Sequence, residues 1–237
     1  MKNNLIKFFP EEKNILAFTT TREKGDFRHN ISAVYNLLKD LGFSGVKVAM
    51  PELVHSDNVF EAKKNNFSPN NLIKATDSIL AREKDIFLAI TFADCFPIFI
   101  FNKDKKEIGI IHGGWRSVSA KIIEKTIKKF PRKDRKNIKI VIGPGINFEH
   151  YEFDLEVAQK NFSAYPKRII KSEKINKGYL DLKGIIKDKL QKAGITEKNI
   201  FDCGINTFTD KRFFSARKDK FSSNNVKACA AVIGVVE

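Results

Sequence analysis

The sequence predicts an α/β protein (mixed α+β), a single compact domain over residues 1–237 with a mixed central sheet flanked by helices. The first observation is a series of short, continuous apolar runs rich in Ile and Phe, which are typical of buried strands. The second is that segments with helical spacing of apolar residues alternate with these runs. The third is size, because 237 residues of which 42% are hydrophobic can enclose one large core.

The first half of the chain supplies one helix and most of the predicted central strands. Residues 15–19 form a short β-like run. Apolar spacing over residues 31–41 predicts a helix, and Gly42 is a natural C-terminal stop. The remaining apolar runs of this half predict strands over residues 47–49, 86–90, 96–101 and 107–111.

The second half adds three predicted helices. Residues 117–130 place apolar side chains on one face and lysines on the other, as an amphipathic helix does. Asp154 and Asp181 are suited to N-capping, so helices are predicted over 154–162 and 181–193. The apolar runs that remain predict strands over residues 137–142, 200–207 and 226–236.

The charge of the chain is strongly positive, with a formal net charge of +15. The lysines are scattered rather than gathered into one arm, and the usual nucleic-acid motifs are missing, which argues against a nucleic-acid partner. A positive field would still attract anionic small substrates such as phosphate.

The N-terminal residues lack the apolar run of a signal peptide, and the most hydrophobic stretch, residues 86–101, is interrupted by Asp94 and Pro97. An odd count of three cysteines, in a chain too large to need disulfides, favours a reducing compartment. We therefore expect a cytoplasmic protein without a membrane span.

Histidine and cysteine are scarce, yet several occur where strands are predicted to end. His112 follows the run EIGII and precedes two glycines, and Cys95 follows Asp94 in AITFADCFPIF. His55, in ELVHSDNV, precedes a predicted turn. Two imidazoles and a thiolate suit Zn²⁺, with the fourth position left for water or substrate. Spacing alone leaves the structural alternatives open, namely a helix-capping histidine and a small core cysteine.

Three further residues are candidates for catalysis. Arg116, in the Gly-Trp-Arg turn, and Arg217, in FFSAR, could hold a phosphate or a carboxylate, although pairing with an acidic neighbour is commoner. Asp94 is a carboxylate within an apolar run and must find a partner or a strand end. It could shuttle protons, or it could orient a metal-bound histidine.

The chain resembles the laccase-domain family, once called multicopper polyphenol oxidase-like and now also described as purine nucleoside phosphorylases. The segments that carry the resemblance run from FTTTR to the last strand: FADCFPIFIF, IIHGGWRS, IGPGINFEHYEF, YLDL and RFFSARKD. The resemblance implies a zinc site at His55, Cys95 and His112. It also implies phosphorolysis of adenosine, inosine, guanosine and methylthioadenosine, with adenosine deamination as a further activity.

The sequence departs from the family pattern at several positions. Leu53 stands in place of Gln, Asn206 in place of Cys, and Lys218 in place of Arg, while SSNNVKA replaces a terminal Gly-Arg segment. The ligand positions are retained, so the resemblance supports the metal site more strongly than it supports any particular substrate.

Two other functions stay open at this stage. One is a copper-binding polyphenol oxidase, with copper in place of zinc, although four histidines are too few for the clusters of multicopper oxidases. The other is a non-enzymatic basic zinc protein that binds RNA, in which Cys203 or Cys229 completes a structural site. The sequence leaves open whether the protein is a monomer or a homodimer.

Overall fold

The computed structural model describes residues 4–68, 71–219 and 226–236. Its helices are α1 (Ile31–Asp40), α2 (Trp115–Ser119), α3 (Ile122–Lys128), α4 (Leu155–Asn161) and α5 (Leu182–Lys192). Its strands are β1 (Leu5–Phe8), β2 (Ile15–Thr20), β3 (Lys47–Ala49), β4 (Val59–Ala62), β5 (Ser78–Ala81), β6 (Ile86–Phe92), β7 (Phe96–Asn102), β8 (Glu107–Gly113), β9 (Ile138–Ile142), β10 (Glu152–Asp154), β11 (Ile169–Lys171), β12 (Lys177–Leu180), β13 (Ile200–Asp202) and β14 (Cys229–Val235).

These strands form two large mixed sheets and one small antiparallel sheet. The first large sheet has the order β1-β2-β14-β6-β3, and the second has the order β13-β9-β7-β8-β5-β4. The small sheet has the order β10-β12-β11. In each large sheet, parallel pairing is confined to the edges, at β3 with β6, β4 with β5 and β9 with β13.

The two large sheets pack face to face around a shared hydrophobic core. Leu88 and Ile90 of β6 enter this core from one sheet, and Phe99 and Phe101 of β7 enter it from the other. Alternate residues of the same strands point outward, because side chains along a strand alternate between its two faces. This arrangement explains why β6 and β7 read as continuous apolar runs, since both faces of each strand are buried.

Helices cover the outer faces of both sheets. Helix α1 packs Val34 and Leu38 against Phe87 of the first sheet. Helices α3 and α5 pack against Ile98 and Ile100 of the second sheet, and their contributions include Ile123 and Ile185. The result is a four-layer arrangement of helix, sheet, sheet and helices.

The predicted α/β class is confirmed, and the structure refines the predicted central sheet into two stacked sheets. The division falls between β6 and β7, which are adjacent in sequence but belong to different sheets. Residues 93–95 connect them. Each strand reads as buried on both faces, so nothing in its pattern indicates that a second sheet lies on one of those faces. The connection brings Cys95 to the point where the two sheets meet.

Several predicted boundaries are wrong. The single helix predicted over residues 117–130 is two helices, α2 and α3, because Lys121 adopts a left-handed conformation with φ of 75° between them. The strand predicted over 200–207 is only β13, which pairs for three residues before Gly204 turns the chain. Strands β1, β4, β5 and β10–β12 were not predicted, since they are short and their patterns are weak.

Residues 220–225 lie outside the described part of the chain and include most of the departure at SSNNVKA. In the described ranges, no helix combines the length and the apolar character that a bilayer crossing requires.

Candidate metal centre and adjoining cavity

The three ligands predicted from the sequence come together at the edge where the two large sheets meet. His112 lies near the end of β8, Cys95 lies in the connection before β7, and His55 lies in the loop between β3 and β4. One donor atom from each residue can be chosen so that all three lie within 4.8 Å of one another. Two imidazole nitrogens and one thiolate at this spacing fit a divalent metal such as zinc or copper.

Asp77, directly before β5, organises two of the three ligands. Its side chain is fully buried. Its Oδ1 accepts a hydrogen bond from Nδ1 of His112 at 2.9 Å and another from the backbone N–H of His55 at 3.0 Å. Because Nδ1 of His112 is engaged, Nε2 is the atom left for a metal. A carboxylate behind a histidine ligand fixes the ring and raises its basicity.

The same carboxylate holds the loop that carries His55. Oδ2 of Asp77 accepts hydrogen bonds from the backbone N–H of Ser56 at 2.7 Å and from its hydroxyl at 3.0 Å. The backbone N–H of Val54 adds a longer contact of 3.3 Å. His55 itself has a positive φ of 59°, a conformation that is uncommon for residues other than glycine, and the hydrogen bonds to Asp77 hold the loop in it.

The electrostatics of the ligand cluster favour a thiolate at Cys95. Burial alone would raise the pKa of the Cys95 thiol, but the charge and hydrogen bonding of His112 and the neighbouring His55 lower it to about 6. Burial opposes protonation of His112, yet the facing Cys95 and the Asp77 carboxylate raise its pKa to about 9. The Sγ atom of Cys95 lies 3.9 Å from Nε2 of His55. A thiolate is the form of cysteine that binds a metal.

Gly114 leaves room for the ligands at the start of α2. A Cβ atom at this position would lie 2.8 Å from Cδ2 of His55 and 3.2 Å from Sγ of Cys95. The first of these distances is shorter than van der Waals contact, so any larger side chain would push against the ligand set. The second glycine of HGGWR is therefore explained by its close approach to the side chains of His55 and Cys95.

Asp94 makes different contacts from those of Asp77. Its Oδ1 accepts a hydrogen bond from the hydroxyl of Thr207 at 2.7 Å, and its Oδ2 accepts one from the backbone N–H of Arg217 at 2.7 Å. Its backbone carbonyl accepts a bond from the N–H of Ile146 at 2.9 Å. Asp94 therefore ties the connection that carries Cys95 to the segment that carries Arg217, and it has no hydrogen bond to a ligand histidine.

Arg116 and Arg217 lie on an aromatic surface beside the ligands. The guanidinium of Arg116 lies 4.4 Å from the ring centre of Trp115, and that of Arg217 lies 5.3 Å from the ring of Tyr151. Tyr151 is buried, and burial together with the charges of Cys95 and Asp94 raises its pKa, against the opposing effect of Arg217 and Arg116. Cys95 and the two arginines therefore lie near enough to Tyr151 for each to affect its pKa.

A cavity of about 270 Å³ adjoins the ligand cluster. All three ligands line it. Its remaining wall is mainly apolar and includes Leu53, with polar groups supplied by Arg28, His29 and Thr91. Arg116 and Arg217 are not among the residues that line it. An apolar cavity with a few convergent polar groups is typical of a small-molecule site.

Sequence reasoning did not identify Asp77, Gly114 or Arg28 as site residues. Asp77 directly precedes the apolar run SILA, and Asp94 lies within another apolar run. A carboxylate next to an apolar run, the signal that singled out Asp94, was therefore present at Asp77 as well. Arg28 lies in the segment Gly25-Asp26-Phe27-Arg28, which carries no recognisable site motif, and only the folded chain brings it to the cavity that His55 lines. The departure at Leu53 also lines the cavity.

The chain is similar in sequence to several known proteins. Residues 12–232 match the family model described as multi-copper polyphenol oxidoreductase laccase. A purine nucleoside phosphorylase of Campylobacter jejuni is 32% identical over 193 residues, which are 78% of each chain. A purine nucleoside phosphorylase of Staphylococcus epidermidis is 27% identical over 222 residues, covering 90% of this chain and 83% of the relative.

Solved structures show the same fold. The protein YfiH of Bacillus licheniformis, described as hypothetical, aligns with a TM-score of 0.85 at 21% identity, over 98% of this chain and 96% of that one. YlmD of Geobacillus stearothermophilus aligns with a TM-score of 0.84 at 21% identity, over 100% and 98% of the two chains. These structures show the fold, and the family model matched over residues 12–232 shows that the chain belongs to the multi-copper polyphenol oxidoreductase laccase family, whose relatives here are named purine nucleoside phosphorylases.

Proposed function

We propose that this protein is a zinc-dependent purine nucleoside phosphorylase. The observation that carries the proposal is the group of His55, Cys95 and His112 at the wall of a mainly apolar cavity of about 270 Å³. The relatives named purine nucleoside phosphorylases supply the reaction class. We propose adenosine, inosine, guanosine and methylthioadenosine as substrates, together with phosphate.

In this reaction an oxygen of orthophosphate forms a bond to C1′ of the ribose while the bond from C1′ to the purine nitrogen breaks. The bonding electrons leave with the purine, which takes up a proton. The products are the free base and the sugar 1-phosphate, which is ribose 1-phosphate for adenosine, inosine and guanosine and 5-methylthioribose 1-phosphate for methylthioadenosine. A cationic environment stabilises both the phosphate and the charge that develops on the departing base.

In this proposal the side chains of the site have separate roles. Asp77 holds the imidazole of His112 and the loop of His55 in place. Arg116 and Arg217 supply positive charge on the aromatic side, and Asp94 fixes the backbone of Arg217. Zinc held by the three ligands would supply a Lewis acid and lower the pKa of a coordinated water.

We propose zinc because imidazole and thiolate are its usual protein ligands, and three of them leave the fourth tetrahedral position open, as catalytic zinc sites do. Two histidines and one cysteine are also the ligand set of a blue-copper centre, so metal analysis of the purified protein tests the choice of zinc. The family description names copper. Across the described ranges, however, this trio is the only group of three or more histidine, cysteine or acidic residues with metal-binding spacing. Cys203 and Cys229 do not belong to it. This arrangement supports a mononuclear catalytic site over a multicopper oxidase or a closed structural zinc site.

Adenosine deamination is a second activity that the same experiment measures. Water would add at C6, ammonia would leave, and inosine would form. Both carboxylate oxygens of Asp94 are already engaged by Thr207 and Arg217, which favours a positioning role for Asp94 over proton transfer.

The test is to incubate zinc-loaded protein with each nucleoside, with and without phosphate, and to separate the products by chromatography. We expect free base and sugar 1-phosphate only when phosphate is present. The controls are chelator-treated protein and Cys95→Ser, both of which should lose the activity. Formation of free ribose without phosphate, oxidation of a phenol with oxygen uptake, or no turnover at all would contradict the proposal.

We further propose a cytoplasmic location, in which a reducing environment keeps the free thiol of Cys95 available for metal. We propose that the protein works as a monomer or a homodimer. Light scattering during size-exclusion chromatography distinguishes the two and would reveal any larger assembly.

A further inference from the structure

Arg28 brings a positive charge to the cavity beside the metal ligands. Among the described residues that line this cavity, Arg28 is the one arginine, and none is an aspartate or a glutamate. The cavity therefore presents a guanidinium, three metal-binding side chains and apolar walls. A metal held by these side chains would be a second cationic element beside the arginine, and a site of that charge favours an anionic ligand.

The charge of Arg28 has no carboxylate partner in the part of the chain that the structure describes. One guanidinium N–H, from Nη1, reaches the backbone carbonyl of Val226 at 3.3 Å. By contrast, Arg22 pairs with Asp219 at 2.6 Å, and Arg168 pairs with both Asp181 and Asp188. Arginine has five N–H donors in a planar fork, so Arg28 retains donors for a ligand.

The backbone around Arg28 is fixed by the segment before β14. Oδ1 of Asp26 accepts hydrogen bonds from the N–H of Arg28 at 3.0 Å and from the N–H of Ala228 at 2.9 Å. The N–H of Phe27 donates to the carbonyl of Ala228 at 3.0 Å, and the Phe27 side chain is buried. Arg28 is therefore held on the cavity wall by a built arrangement rather than by a free loop.

We propose that Arg28 binds orthophosphate in this cavity and so supplies the main contact to the second substrate. This inference rests on the proposed phosphorylase function and goes beyond it, because it places the phosphate in the cavity lined by Arg28 and Cys95. The guanidiniums of Arg116 and Arg217 lie over aromatic rings outside that cavity. Their charge then acts at longer range.

The test measures phosphate binding directly, by calorimetric titration of orthophosphate into zinc-loaded protein without nucleoside. The variants are Arg28→Ala, Arg28→Lys and the control Arg132→Ala, which removes the same charge from an exposed position. We expect Arg28→Ala to weaken phosphate binding roughly 10- to 100-fold, because it removes a hydrogen bond between two charged groups. Arg28→Lys should recover part of the loss, and Arg132→Ala should stay within about twofold of wild type.

Zinc content and the thermal unfolding midpoint are measured on each variant to detect a folding defect. If Arg28→Ala is misfolded, the phosphate affinity of wild type is compared with that of Arg28→Lys instead. Unchanged phosphate affinity in Arg28→Ala overturns the proposal, and so does an equal loss in Arg132→Ala. Failure of wild type to bind phosphate overturns it as well. A titration with adenosine 5′-monophosphate separates the sources of phosphate: dependence on Arg28 for this ester but not for orthophosphate also overturns it.

Steady-state kinetics separate this proposal from the proposed function. Phosphate-dependent cleavage of inosine with the same phosphate KM in wild type and Arg28→Ala would leave the phosphorylase function intact and refute the role of Arg28. Binding of phosphate that depends on Arg28, without cleavage of any nucleoside, would refute the phosphorylase function and retain the anion site.

Discussion

Two buried aspartates lie near the ligand cluster, and they organise different parts of it. Asp77 is fully buried and directs its hydrogen bonds to His112 and to the loop of His55. Asp94, adjacent to Cys95 in sequence, directs its hydrogen bonds to Thr207 and to the backbone of Arg217. One carboxylate therefore supports the candidate metal ligands, and the other supports the segment that carries Arg217.

The difference shows that proximity in sequence is a poor guide to the role of a polar residue at a site. Asp94 is the neighbour of a ligand and yet contacts no ligand histidine. Asp77 is 22 residues from His55 and 35 from His112, and it contacts both. If this division is correct, the activity of variants at Asp77 and at Asp94 will depend differently on the metal concentration.

Replacing Asp77 by Ala should give the largest change. It removes the partner of His112 and leaves the N–H groups of His55 and Ser56 unsatisfied. We expect zinc affinity to fall roughly 10- to 100-fold, as is usual when the hydrogen-bond partner of a ligand is lost. The free energy of unfolding should fall by about 2–4 kcal/mol. Competition with a chromophoric chelator and urea unfolding measure the two quantities.

The matched control for Asp77 is Asp57→Ala, in the same loop, where the carboxylate pairs with Lys125 at the surface. A surface ion pair contributes about 0–1 kcal/mol, so zinc affinity should not change. Equal losses of zinc in both variants would mean that the loop as a whole, rather than the buried carboxylate, holds the ligands.

Asp94 should give the next largest effect, on activity rather than on metal binding. Asp94→Ala removes the acceptor for Thr207 and for the N–H of Arg217, so kcat/KM should fall by about tenfold or more at saturating zinc. Asp94→Asn keeps an acceptor for Arg217 and a donor for Thr207, and it should retain most of the activity. If Asp94→Asn is as inactive as Asp94→Ala, then Asp94 transfers protons and the positioning role is wrong.

Gly114→Ala tests the space around the ligands. The added Cβ would lie 2.8 Å from Cδ2 of His55, so the imidazole must shift, and zinc affinity should fall about tenfold. Gly109→Ala in β8 is the control, because its Cβ would meet Leu80 in the core instead. That variant should lose about 1–3 kcal/mol of stability and retain its zinc affinity. Similar zinc loss in both variants would indicate a general effect of overpacking.

The smallest effects are expected from removing the hydroxyl group that donates a hydrogen bond to each aspartate. Ser56→Ala removes a bond to Asp77, and Thr207→Val removes one to Asp94. Each should lower the free energy of unfolding by about 0.5–1.5 kcal/mol in urea denaturation. Ser56→Ala should weaken zinc binding slightly, and Thr207→Val should lower kcat/KM slightly. The opposite assignment of the two effects would contradict the division between the aspartates.

The sequence predicted the α/β class and the long central strands because their apolar runs are continuous. It did not predict that β6 and β7 belong to two stacked sheets, since each strand carries the same pattern whichever layer covers it. The break between α2 and α3 was also missed. Apolar spacing continues through Lys121, and only its backbone conformation interrupts the helix.

The candidate ligands were named from scarce residues at predicted strand ends and from the family resemblance. The structure brings His55, Cys95 and His112 together. The supporting residues were harder to find, because Asp77 and Arg28 reach the site through the fold rather than through a motif. Their contacts depend on where the loops between strands return, and local patterns carry little information about that.

The most direct test of the division between the two aspartates is a zinc titration of phosphorolysis in wild type, Asp77→Ala and Asp94→Ala, with Asp77→Asn as a better-folded alternative. We expect excess zinc to restore much of the activity of the Asp77 variants and to leave Asp94→Ala impaired at every zinc concentration. Restoration of Asp94→Ala by zinc, or failure of zinc to restore the folded Asp77 variants, would contradict this account.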